Sequence, residues 1–477
     1  MAKLEDMTLF DAVDSIKRGE IEREELLEAY AERIRRLNPE YGAYITVSGA
    51  GAASNREGIG GALEGAPIAI KDCICTKGLR TTCASKILSS YVPPYDATVV
   101  SRIKSEGGVI TGKTNMDEFA MGSSTENSGF FVCRNPWDKT RVPGGSSGGS
   151  AVAVSARMAL AALGSDTGGS VRCPASFCGI VAMKATYGLV SRYGLVAYAN
   201  SLEQIGPMAR DVRDCALLLN VISGHDPKDC TTIPGKKEDY LACLGKDVKG
   251  LRIGVPMEFF GEGTDSRVEK EVWSGIHALE GLGASWNEAS LPSLKYALPA
   301  YYIIAMSEAS SNLARFDGIR YGTREEDEGM NWEESFSRTR GANFGSEVKR
   351  RIILGTFALS SGYYEEYYLK ALKARTLIRR DFERLFKEFD VLVGPTMPTP
   401  AFRIGEKVED PLEMYMSDID TVSVNLAGIP AISVPCGFAD GLPVGLQIMG
   451  PPLGEGKVLT AARKLEEELG LELKPPV

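Results

Sequence analysis

From residue 66 onward, short apolar runs alternate with segments whose apolar residues recur at helical spacing. This alternation constrains the fold more than any other feature of the chain. Residues 66–70, 109–111, 180–183 and 251–255 read as strands, and 97–104, 147–160, 210–222 and 267–282 read as helices. Short strands this apolar need cover on both faces, so the pattern calls for an α/β sheet with helices on each side. Strands return at 391–393, 431–434 and 444–448, and a last helix covers 457–469. Two stretches stand outside the rhythm. The first holds helices at 8–18 and 23–37, then a Gly- and Ala-rich loop at 48–65. The second, 296–389, is mostly helical, with segments at 301–316, 347–359 and 363–389, and reads as an insertion lying against the sheet.

Charge and composition exclude several functions. Lys and Arg total 54 against 63 Asp and Glu, a net charge of −9. Such a chain is poorly suited to grip a phosphate backbone alone. Residues 1–14 are polar and carry no export signal, and the longest apolar run, 151–163, contains Ser155 and Arg157 and is too short to span a bilayer. The ten cysteines form no paired CxxC sets, so they read as reduced core residues rather than a zinc site. There are two histidines, His225 and His277, and neither adjoins a Ser/Gly motif. Acid–base chemistry therefore falls to another side chain.

Two glycine- and serine-dense segments are the candidates for chemistry: Pro-Gly-Gly-Ser-Ser-Gly-Gly-Ser at 143–150 and Gly-Ser-Asp-Thr-Gly-Gly-Ser at 164–170. Glycines at this density let backbone N–H groups converge on a ligand. A serine hydroxyl is a weak nucleophile and needs a base. With histidine scarce, a lysine is the candidate, and it must be neutral to act. Bringing a lysine from about 10.4 to near 7.4 costs roughly 4 kcal/mol of charged-state stability, which burial can impose. Lys71 ends the apolar run Pro-Ile-Ala-Ile at 67–70 and is placed for that, with Asp72 beside it.

The ordered set Pro-Ile-Ala-Ile-Lys-Asp at 67–72, then the segments at 143–150 and 164–170, resembles the signature of the amidase signature family. The resemblance implies an α/β amidase-signature fold, with a large mixed, mostly parallel sheet flanked by helices on both faces. It implies one domain over 1–477, a catalytic core at 66–230 and the helical insertion at 296–389. It assigns Ser170 as nucleophile, Ser146 as a bridging serine after a cis peptide bond, and Lys71 as base. The backbone N–H groups of Thr167, Gly168, Gly169 and Ser170 would form the oxyanion hole.

Further segments, including those at 114–122, 307–313, 315–318, 347–351 and 425–430, are similar to one branch of that family, the glutaminase subunits of tRNA-dependent amidotransferases. The stretch 48–65 departs from it, being shorter and richer in glycine. The branch implies glutamine as ammonia donor. An arginine fork suits its carboxylate and an aspartate its ammonium; by resemblance these are Arg351 and Asp418, with Tyr301 in support. The branch also implies that this chain holds no metal. It implies two partners, subunits B and C: the first binds misacylated tRNA and uses ATP and Mg²⁺, and the second is small. The setting it implies is cytoplasmic, without a membrane. Three other readings stand beside it. One is a stand-alone amidase with a different amide substrate, and another is a non-catalytic scaffold. The third is an ATP site at Gly107–Thr114, which fits the P-loop pattern but follows a helix where that motif needs a strand.

Overall fold

The computed structural model describes residues 4–49, 58–235, 238–261, 263–326 and 329–477; of the Gly- and Ala-rich stretch, 50–57 lie outside the described residues. Eleven strands form one sheet: β1 (Tyr44–Val47), β2 (Pro67–Lys71), β3 (Val109–Thr114), β4 (Ala161–Asp166), β5 (Val181–Lys184), β6 (Gln204–Ala209), β7 (Arg252–Pro256), β8 (Ser285–Ala289), β9 (Val391–Pro395), β10 (Ala431–Ala439) and β11 (Leu442–Met449). Their order is β1-β3-β2-β4-β6-β5-β10-β11-β9-β7-β8.

The sheet is mixed, as expected, but its balance differs from expectation. Only β3–β2, β2–β4, β9–β7 and β7–β8 pair in parallel; the other six neighbouring pairs are antiparallel. Part of the reason is the tight Asp440–Gly441 turn, which folds β10 straight back on β11. Part is β6, which lies between β4 and β5 and runs antiparallel to both. It carries Gly206 and Pro207, residues that hide a strand from pattern reading.

Alternate residues of the central strands enter two separate apolar cores. Ile68, Ile70, Ala161, Leu163, Val181 and Met183 join one; Ala69, Ala162 and Ala182 join the other. Successive strand side chains point to opposite faces, so the two cores lie on opposite sides of the sheet. Helices Arg23–Tyr41 and Gly148–Ser155 supply much of the second core. Helices Val212–Ile222, Ser266–Gly281 and Glu455–Leu469 supply much of the first.

Other differences from expectation have local causes. The helix read at 147–160 ends at Ser155; Arg157 takes a left-handed φ of 58° and the chain turns into β4. The run is apolar on every face, so its periodicity cannot separate helix from strand. Strands β1 and β8 went unread because they form the edges of the sheet and leave side chains exposed. Between 296 and 389 the helices are Ala297–Asn312, Trp332–Asn343, Ser346–Ala358 and Lys370–Leu385, the last preceded by a π-helical turn at Glu365–Leu369. Ser346–Ala358 and Lys370–Leu385 gather around Ala297–Asn312 and the short helix Val422–Ala427, while Trp332–Asn343 packs on the turn Lys86–Leu88.

Candidate active site

The site begins with strand geometry. Parallel neighbours end at the same sheet edge, where α/β proteins place their ligands. Ile70 of β2 lies beside Leu163 of β4, so Lys71, the last residue of β2, falls level with Gly164 and one residue short of Ser165. Lys71 is fully buried. Its Nζ donates to Ser146 Oγ at 2.7 Å, Ser165 Oγ at 2.9 Å and Ser165 O at 3.2 Å. These partners are uncharged. Burial pulls the lysine below its ordinary value of 10.5, against the opposing fields of Cys73, Asp117 and Asp166.

The two glycine-rich loops meet at this point. Ser146 follows a cis Gly145–Ser146 peptide and precedes helix Gly148–Ser155. Ser147 N–H donates to Ser170 O at 3.1 Å, and Ser147 Oγ donates to Ser165 O at 3.2 Å. Ser170 stands at the mouth of helix Arg172–Cys178 and is 8% exposed, whereas Ser146 and Lys71 have no exposure. Lys71 and Ser146 are thus in direct contact, and Ser170 belongs to the loop bonded to theirs.

Asp166 shapes that loop. Its carboxylate accepts Gly169 N–H at 2.8 Å, Val171 N–H at 3.2 Å, Arg172 Nε and Nη2 at 3.0 Å each, and Asn425 Nδ2 at 2.9 Å. Burial raises its proton affinity, but the Arg172 guanidinium and these bonds outweigh it and hold the carboxyl well below the usual range. The loop N–H groups expected in the oxyanion hole are not alike in this respect. Gly169 N–H is already committed to Asp166, whereas the N–H groups of Thr167, Gly168 and Ser170 have no partner among the described residues. Gly169 still has to be glycine: its φ is +131° and a Cβ there would strike Thr421. A Cβ on Gly168 would strike the ring of Tyr301.

Arg351 and Asp418 come together under the helical insertion. Arg351 is 1% exposed, and its neighbours Lys349 and Arg350 turn outward to Gly341 O and Glu347. Its Nε donates to Glu347 Oε1 at 2.7 Å, Nη1 to Tyr198 OH at 2.8 Å and Nη2 to Gly122 O at 2.8 Å. Three tyrosine faces, Tyr302, Tyr415 and Tyr198, lie 5.3–5.9 Å from the guanidinium carbon. Asp418 accepts Ser123 Oγ at 2.6 Å and Tyr302 OH at 2.7 Å. Burial pushes its carboxyl up to about 6 against those two bonds and the Arg351 charge.

Sequence reading missed several of these residues. Tyr301 was expected in support, yet Tyr302 is the one bonded to Asp418, while the Tyr301 ring covers Gly168. Adjacent helical residues point about 100° apart, and sequence does not say which one faces inward. Glu347 had a usable signal, its i,i+4 spacing from Arg351 on one helix. Ser165, Ser123 and Tyr198 had none. The P-loop reading fails on geometry: residues 109–114 are strand β3, and the buried Lys113 amine is bonded to Ile74 O and, at 2.8 Å, to Thr81 Oγ1. His225 bonds Thr232 and His277 pairs with Glu280, both outside this network. Among the described residues no three or more His, Cys, Asp or Glu side chains gather to hold a metal ion, and no helix is long and apolar enough to cross a membrane.

Known proteins place this geometry. The chain is 58% identical over 476 residues, 99% of each protein, to the A subunit of glutamyl-tRNA(Gln) amidotransferase from Halothermothrix orenii. It is 61% identical to the same-named protein of Methanosarcina barkeri over 437 residues, 91% of each. The crystal structure of the Thermotoga maritima counterpart, also the A subunit of glutamyl-tRNA(Gln) amidotransferase, superposes with a TM-score of 0.84 at 46% identity, covering 98% of this chain and 96% of that one. A 6-aminohexanoate cyclic dimer hydrolase superposes at 0.86 with 28% identity, covering all of this chain and 99% of its own. The amidase family model matches residues 25–459. With that match spanning most of its length, the chain belongs to the amidase family.

Proposed function

We propose that the chain is the glutaminase subunit of a tRNA-dependent amidotransferase. In this reading it hydrolyses glutamine and supplies ammonia for converting Glu-tRNA(Gln) to Gln-tRNA(Gln), Asp-tRNA(Asn) to Asn-tRNA(Asn), or both. The observation that carries the chemistry is a fully buried lysine amine bonded to serine hydroxyls and one carbonyl at the end of β2. Such an amine sheds its charge readily, as a base must.

Neutral Lys71 takes a proton through Ser146 from Ser170. The Ser170 oxygen attacks the glutamine side-chain carbonyl. The oxyanion is held by N–H groups of Thr167, Gly168 and Ser170, preorganised by the Asp166 turn. The proton returns to the leaving nitrogen, ammonia departs, and water releases glutamate from the acyl-enzyme. Arg351 holds the substrate carboxylate and Asp418 its ammonium. Tyr301 packs the loop and Tyr302 orients Asp418.

The relatives are named as subunits, which supports a reading with partners. The B partner holds the misacylated tRNA and uses ATP and Mg²⁺, the C partner completes a heterotrimer, and the assembly works in the cytoplasm. The acidic balance of this chain supports leaving tRNA to another subunit. A stand-alone amidase would share the relay but has no use for a paired carboxylate and ammonium site. The deciding experiment measures ammonia and glutamate release, then tRNA amidation, with the co-purified partners. Amide hydrolysis indifferent to the substrate's α-carboxylate would overturn the glutaminase reading.

A further inference from the structure

We propose that Ser165, backed by Cys73, is a positioning residue for the relay: its hydroxyl turns to Cys73 Sγ and leaves the electron pair of neutral Lys71 to Ser146. The proposal rests on the reading of Lys71 as base.

The backbone of Ser165 is pinned. Its N–H donates to Ser147 Oγ at 3.2 Å, its carbonyl accepts from the same hydroxyl at 3.2 Å, and β6 pairs with it at Ile205. Its side chain is thereby fixed between two others. Ser165 Oγ lies 2.9 Å from Lys71 Nζ and 3.6 Å from Cys73 Sγ. Ser165 and Cys73 are both buried. Across the amine stands Ser146, whose Oγ has Lys71 Nζ as its only hydrogen-bond partner among the described residues.

Counting hydrogens decides how these groups face one another. An ammonium has three N–H bonds and no electron pair; a neutral amine has two N–H bonds and one pair. The Ser165 carbonyl can only accept, so it takes one N–H in either state. As an ammonium, Lys71 gives its other two to Ser146 Oγ and Ser165 Oγ, and the Ser165 proton has Cys73 Sγ as its acceptor. As a neutral amine, Lys71 has one N–H and one electron pair left for two hydroxyls. If Ser165 held the pair, the amine would donate to Ser146 and the Ser146 proton would point away from the base. That buried proton would then have no acceptor among the described residues, a greater loss than a weak bond to sulfur. With the Ser165 proton on sulfur, Ser165 Oγ accepts the N–H and Ser146 donates to the pair. Every hydrogen is then bonded, and the amine passes between its two states with no movement of Ser165. In the transfer the Ser146 O–H bond breaks as an N–H bond forms on Lys71, and Ser146 takes the proton of Ser170. Burial raises the Cys73 thiol above its ordinary value, so it puts no charge beside the amine.

The test is a double-mutant cycle in kcat for glutamine hydrolysis by the full chain with its partner subunits. Ser165→Ala should lower kcat about tenfold with KM within about threefold, and Ser165→Thr, which keeps the hydroxyl, should recover most of that loss. Cys73→Ala frees the Ser165 proton to occupy the electron pair and should lower kcat about fivefold, again with little change in KM. In the Ser165→Ala background there is no such proton, so Cys73→Ala should cost nothing further. Cys73→Val, close in size to cysteine and unable to accept, must behave the same way and serves if the alanine variant does not fold. Losses that multiply, as two independent packing defects would, overturn the proposal. So does a Ser165→Ala enzyme with unchanged kcat. Lys71→Ala is run in parallel. Activity retained there would remove the relay reading itself, whereas a dead Lys71→Ala with multiplying losses removes only the role of Ser165.

Discussion

Lys71 and Arg351 are both buried cations, with 0% and 1% exposure, and the protein treats them in opposite ways. Burial drives the Lys71 amine below its ordinary value. At Arg351 burial works in the same sense, but Tyr198, Glu347 and two further tyrosines outweigh it and the guanidinium is held well above its ordinary value. The difference lies in what each cation touches. Lys71 meets hydroxyls and a carbonyl, groups that serve a neutral amine as well as an ammonium. Arg351 meets a carboxylate at 2.7 Å and is boxed by aromatic faces. Burial alone does not decide charge; the anion beside the cation does. One environment favours losing a proton, the other keeping a charge, which suits the base and the ligand contact proposed for them.

The largest effects break the comparison at the chemical end. Ser170→Ala should lower glutamine turnover by about 10⁴-fold or more, with the melting temperature unchanged. If Lys71 acts by losing its proton, Lys71→Arg must be as damaging as Lys71→Ala, each costing about 10³-fold, since arginine keeps its proton in proteins. Activity surviving in the arginine variant would make Lys71 another fixed charge and erase the contrast with Arg351.

Stability should separate the two cations by sign. Lys71→Met removes an amine whose native proton affinity lies below the 10.5 of the free side chain. Between those values the unfolded chain binds the extra proton, so stability is lost as pH falls through that window. The methionine variant should therefore be inactive yet more stable near pH 7, by about 1 kcal/mol. Arg351→Met does the opposite. It takes the buried partner from Glu347, leaves it only the part-exposed cation Arg350, and should cost about 3 kcal/mol. Denaturant melts of both variants at pH 7 read the sign directly. Destabilisation of equal size in both would mean that Lys71 is held as a cation.

The same contrast marks what the sequence could say. The meeting of Lys71 with Ser146 was legible because these residues sit at the end of an apolar strand and in a dense Gly/Ser segment, and the α/β class followed from alternation. What stayed hidden depends on long-range register. Ser165 matters because β4 lies beside β2, which no local pattern reveals. Loop sequence likewise does not show that Asp166, three residues earlier, takes the Gly169 N–H. That Tyr302 bonds Asp418 while Tyr301 packs on Gly168 depends on a helix rotation the sequence does not give. The antiparallel majority of the sheet was missed because β6 is disguised by Gly206 and Pro207.

The smallest expected effect lies at Asp418, the carboxylate proposed to hold the substrate ammonium. Asp418 has no cation bonded to it; Ser123 and Tyr302 donate to it, and its carboxyl stands at about 6. Its affinity is raised above the free value of 3.8, so the native chain holds a proton there between the two values. An ionised Asp418 therefore costs stability at neutral pH, and that cost is relieved as pH falls toward 3.8. The ionised form is also the one that attracts an ammonium. As pH drops from 7 to 5, KM for glutamine should rise by about tenfold as Asp418 takes its proton. The relay affects kcat over the same range, so the KM-against-kcat split keeps the two apart. Near pH 6, binding an ammonium-bearing ligand to Asp418 should expel a proton, a release that calorimetry in buffers of different ionisation enthalpy can count. Asp418→Asn should abolish that release and flatten KM at its high, low-pH level. A wild-type KM that ignores pH over this range would take the ammonium away from Asp418 and leave Arg351 as the charged contact to the ligand.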